Sequence, residues 1–112
     1  MAYESLYERF ETADPGGRRV TVRFQKAGML AAGDNPELYF FQVDDGEAVV
    51  GISGAALKGF QQRRSLSREE KIDLAGLWLK RAIEAGRTLA AENLHIRAGE
   101  LRQLAEDLEF AG

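Results

Sequence analysis

The period of the hydrophobic positions changes repeatedly along this chain, and each change marks a predicted element. Tyr3, Leu6, Tyr7 and Phe10 fall at i, i+3, i+4 and i+7, with Glu4, Ser5, Glu8 and Arg9 between them. That spacing predicts a short amphipathic helix, ended by Asp14-Pro15-Gly16-Gly17. From Arg19 to Gln25 the period drops to two, with Val20, Val22 and Phe24 on one side and Arg19, Thr21 and Arg23 on the other, as in a half-exposed strand. Ala27 to Glu37 reads as a loop because Gly28, Gly33, Asp34-Asn35 and Pro36 break any period. Met29 and Leu30 are apolar residues inside it, suited to folding over a sheet edge or to recognition from a loop.

Leu38 to Val43 and Ala48 to Ile52 flank Asp44-Asp45-Gly46-Glu47, a hairpin signature. With Asp45-Gly46 as the turn, Val43 faces Ala48, Phe41 faces Val50 and Tyr39 faces Ile52, which makes one wholly apolar face. The reverse face sets Phe40 opposite Gly51 and Gln42 opposite Val49, so it is mixed and only partly covered. Ser53 then caps a short helix carrying Ala56, Leu57 and Phe60.

The strongest helix signal begins at Ser67, where the serine and Glu70 stand at capping-box spacing. At 100° per residue, Ile72, Leu74, Ala75, Trp78, Leu79, Ala82, Ile83 and Ala85 spread over an arc of roughly 200°, twice the stripe that docks a surface helix. Gly86 is one stop; Leu89 and Ala90 keep the phase and leave the end open to about Glu92. Asn93 to Arg97 alternates as a brief strand or a loop, and Leu101, Leu104, Ala105 and Leu108 give the narrow stripe of a last helix.

Strands followed by helices predict an α+β fold: a small antiparallel sheet of three strands, with a short fourth left open, packed against the long helix and flanked by short N-terminal and C-terminal amphipathic helices. At 112 residues the chain is expected to form a single domain, 1–112. Apolar residues at 45% and charged residues at 29% are the balance of a chain that folds, not of a disordered one. No cysteine is present, which excludes disulfides and thiolate chemistry. Glu4, Glu8 and Glu11 interrupt the start where a signal peptide needs an apolar core, so a cytoplasmic location is expected, without membrane association.

The net charge of −3 comes from mixed signs along the whole length, so a global polyanion footprint is missing and nucleic acid is the disfavoured partner. His95 is the single histidine and has no acid or nucleophile beside it in sequence. No metal-ligand spacing, Walker loop, dinucleotide fingerprint or nucleophile elbow occurs; no cofactor, metal or catalytic residue is assigned, and the chain is read as a non-enzyme. Asp44, Asp45 and Glu47 read as turn chemistry. Gly51-Ile52-Ser53-Gly54 sets a serine and the first amides of a helix together after a strand, an arrangement able to hold an anion. Arg18-Arg19 with Ile52-Ser53-Gly54 resembles fragments of the cyclic-dinucleotide-binding PilZ pattern, but Gly51 stands where that pattern has aspartate and its second glycine is displaced, so no family is assigned.

Leu77 projects on the polar side of the Ser67 helix and forms a compact patch with Leu74 and Trp78. The leading expectation is a small non-enzymatic protein-interaction or regulatory module, with a homodimer as one form and Leu74, Leu77 and Trp78 as the partner-binding residues. The alternative is a binding module for an anionic ligand or nucleic acid, using Arg19 and Arg23 on the strand face with Arg63 and Arg64.

Overall fold

The computed structural model describes residues 7–31, 33–87 and 95–109. Five strands form one curled sheet in the order β1 (Arg9–Ala13), β2 (Arg19–Met29), β3 (Glu37–Val43), β4 (Gly46–Ile52) and β5 (His95–Ile96). Neighbours from β1 to β4 are antiparallel, and β5 pairs parallel to β4. Helices α1 (Gly54–Gln61) and α2 (Arg68–Glu84) lie between β4 and β5 in sequence, and α3 (Ala98–Asp107) follows.

The expected three-stranded sheet under one long helix is therefore corrected, among the described residues, to a five-stranded mixed sheet curled into a half-barrel, with three helices. Most of the change comes from the N-terminal segment. Asp14-Pro15-Gly16-Gly17 is a hairpin turn, not a helix stop: Gly17 takes φ +83° and donates to the Asp14 carbonyl, and Asp14 Oδ1 accepts from the amides of Gly16 and Arg18. Phe10 and Thr12 consequently alternate with Arg9 and Glu11 as β1 residues, with Phe10 opposite Val22. Residues 1–6, which carry the rest of the predicted N-terminal helix, lie outside the described residues.

β2 also runs further than predicted. Its pairing with β3 continues to Met29 opposite Glu37, so the expected loop shortens. An irregularity between Phe24 and Lys26 inserts Gln25 as an extra residue, a bulge that reverses which face the following side chains take. The β3–β4 hairpin turns at Asp44-Asp45, with Val43 opposite Gly46 and Phe41 opposite Ala48. Asp44 adopts φ +51° and is tied to β2 through the Thr21 amide and the Arg18 guanidinium, which draws the turn toward the N-terminus. The slip changes partners by two residues, so the apolar face keeps its composition.

α2 starts at the predicted capping box: Ser67 Oγ accepts from the Glu70 amide at 3.1 Å and Glu70 Oε1 from the Ser67 amide at 2.9 Å. It stops in a Schellman turn, with Gly86 at φ +72° donating to Ile83 and Arg87 donating to Ala82. The possible continuation past Arg87 lies outside the described residues. One core joins the inner sheet face (Val20, Val22, Phe24, Tyr39, Phe41, Ala48, Val50, Ile52) to α1, α2 and α3. Most of the broad arc of α2 is covered by β1, β4, α3 and the segment before β1, while Ala85 at its end is exposed. Gly76 permits the last contact, because a Cβ there would stand 2.5 Å from Tyr7 Cβ.

Candidate ligand-binding sheet face

The three residues expected to bind a partner are core residues. Leu74 is fully buried, Leu77 and Trp78 are 7% and 5% exposed, and the Trp78 indole donates to Glu100 at 2.9 Å with the Arg87 guanidinium 4.8 Å above its ring. The chain's own elements pack over these three side chains. The large apolar side chains that are exposed among the described residues are Met29 and Leu30, at 64% and 49%.

The helices cover only the inner face of the sheet. On the outer face the register assembles rows of side chains across the strands. In one row Arg9 lies directly opposite Arg23, followed by Gln42 and Glu47. The next contains Lys26, Phe40 and Val49, and beyond it run Gly28, Leu38, Gly51 and His95. Arg19, Thr21 and Glu11 occupy the other end, where Arg19 reaches Glu11 at 3.3 Å. Phe40, Leu38 and Val49 are half-buried, while the charged residues are exposed.

The bulge matters to this surface. Without the extra residue Lys26 would point inward; with it Lys26 joins Gln25, which donates to Gln42 at 3.1 Å, on the outer face, and its ammonium stands 4.9 Å over the Phe40 ring. Gly28 and Gly51 leave hollows under the rings: a Cβ at Gly28 would meet the Phe40 ring at 3.8 Å, and one at Gly51 would come within 3.0 Å of His95 and 3.5 Å of Leu38.

Of the arginines expected to hold an anion, the structure brings Arg19 and Arg23 onto this face but keeps Arg63 and Arg64 away from it. Arg64 binds Glu70 at 2.6 Å beside the start of α2, and Arg63 lines a separate cleft of about 420 Å³ with Phe60 and Arg102. Arg9 and Lys26, which the predicted elements do not single out, stand on this face as well. The alternation Arg9-Phe10-Glu11-Thr12 before a Pro-Gly-Gly turn is the signal that locates Arg9, whereas Lys26 depends on a bulge that no pattern announces.

A second polar cleft of about 570 Å³ lies where β4 and β5 end, lined by Asp34, Ser53, Arg87, His95, Arg97 and Glu100 among others. The anion position expected at Ser53 is already filled by the chain. Ser53 Oγ donates to Asp34 at 2.6 Å and the Ala55 amide to the same carboxylate at 3.2 Å, which holds the Asp34 carboxyl below its usual range. A Cβ at Gly54 would stand 1.9 Å from the Asp34 carbonyl oxygen, so the loop is locked onto the start of α1. Glu100 is likewise occupied by Trp78.

No protein-family model, curated protein or solved structure matches this chain. Among the described residues no cluster of His, Asp or Glu is arranged to hold a metal ion, and no helix is long and apolar enough to cross a membrane.

Proposed function

We propose that this chain is a non-enzymatic binding module that holds an anionic ligand on the open face of its sheet. The Arg9–Arg23 pair carries the reading. Like charges directly opposite each other on a sheet oppose folding. Among the described residues neither has an ion-pair partner, as is also true of Arg63, Arg97 and Arg102, but only Arg9 and Arg23 face each other across paired strands. Lys26 adds a further cation without a carboxylate partner there. The partner-binding expectation placed on Leu74, Leu77 and Trp78 lacks a comparable feature, since those side chains are buried.

Titration with inorganic polyphosphate at low ionic strength tests it. Binding is expected, weakening steeply as salt rises, because surface charge attraction is screened within about 10 Å at 0.1 M. Arg9→Gln with Arg23→Gln should lower the affinity about tenfold or more, while Arg63→Gln leaves it unchanged. Absence of binding at low salt, or equal losses in the two variants, overturns the reading.

A further inference from the structure

Resting on that reading, we infer that the anionic ligand is a single-stranded nucleic acid, its phosphates on Arg9, Arg23 and Lys26 and its bases stacked on Phe40 and His95. A surface for bare phosphate needs cations alone. This one interleaves them with flat groups: Lys26 and Phe40 are cross-strand neighbours, and His95 lies over Gly51 in the adjoining row. Strands are about 4.8 Å apart and alternate residues about 6.6 Å, so Lys26 and Arg23 stand within about 8 Å of Phe40 at the backbone and Arg9 one strand further along the track. The two glycines let the Phe40 and His95 rings lie close over the strand backbone. The Lys26 contact to Phe40 is exposed and weak enough for a base to displace while the ammonium turns to the phosphate.

A duplex would present phosphates but keep its base faces stacked internally, and so could not use Phe40. An acidic peptide would meet the cations but leave the rings idle. Glu11 and Glu47 at the margins of the face confine the favourable track to the rows between them. With three cations that have no carboxylate partner among the described residues, affinity should fall with a log–log salt slope of about −2.

Fluorescence anisotropy on the intact protein tests this with a labelled oligothymidylate of about eight nucleotides, an abasic strand of equal length, a hairpin duplex, inorganic polyphosphate and polyglutamate. The intact strand is expected to bind about tenfold or more tighter than the abasic one, and Phe40→Leu to abolish that difference. The abasic strand requires no altered protein, so a fold defect in Phe40→Leu cannot mask the result. If abasic strand and polyphosphate equal the intact strand, the anion-binding reading stands and this inference falls. If the duplex or polyglutamate binds as tightly as the strand, the inference also falls. Failure of every probe removes both.

Discussion

The two faces of the sheet are built from alternate residues of the same strands, yet they have opposite economies. Inward, Val20, Val22, Phe24, Phe41 and Val50 meet three helices and leave almost no surface. Outward, Arg9, Arg23, Lys26 and Glu47 meet water, with a short apolar strip of Leu38, Phe40 and Val49 among them. An antiparallel sheet can remain open on one side because its connections are hairpins, which do not force helices onto both faces. Stability is therefore concentrated on one face, and the other can carry paired arginines that folding alone would disfavour.

The comparison breaks first if the helix layer is not truly core. Leu74→Ala should destabilise the protein by about 2–5 kcal/mol, the cost of a buried leucine replaced by a cavity. Were Leu74 a contact-patch residue on the surface, the change would stay within about 0.5 kcal/mol. Urea unfolding reads the difference, and the folded fraction should still bind polyphosphate as before.

How the sequence foreshadows this molecule differs between the same regions. The helix caps at Ser53 and Ser67 and the apolar face of the β3–β4 hairpin are local: a hydroxyl three residues from an amide, or alternation of period two, carries its own meaning. The width of the α2 arc is also legible, but what covers it is not, because coverage depends on β1, and Tyr7 and Phe10 fit a helical period as well as a strand. Turn chemistry decided that ambiguity: Gly17 at positive φ closes a hairpin where a helix stop was expected. The candidate site shows the same division. Arg19 and Arg23 can be read from alternation within β2, whereas Arg9 joins them only through long-range pairing and Lys26 only through a bulge.

A finer test uses neighbouring valines of β4. Val50 is fully buried against the helices and Val49 is half-buried on the outer face, so the same substitution samples both sides of the sheet. Val50→Thr should cost about 1–3 kcal/mol, because its hydroxyl enters an apolar core. Val49→Thr should change stability by no more than about 0.5 kcal/mol, since that hydroxyl reaches water. Equal losses in thermal or urea unfolding would mean the outer face is covered after all, and the ligand reading would lose its surface.

The smallest effect concerns how the helix layer is fixed to its own start. Burial pushes the Glu70 carboxyl up, but the Ser67 amide and the Arg64 guanidinium outweigh it and hold the group below its ordinary 4.5. A carboxylate more acidic in the folded state than in the unfolded chain contributes stability above the unfolded value, and that contribution fades as pH falls below it. Glu70→Gln keeps an acceptor for the Ser67 amide and removes the charge facing Arg64, so it should cost about 1 kcal/mol near neutral pH. The gap between wild type and Glu70→Gln should then close as pH drops from about 5 toward 3, while Asp34, held low by Ser53 on the sheet-edge loop, continues to respond in both proteins. Urea midpoints measured across that range check it. A gap that persists undiminished at the acid end would mean the glutamate acts through packing and not through its charge, and the helix layer would then be anchored by apolar contact alone.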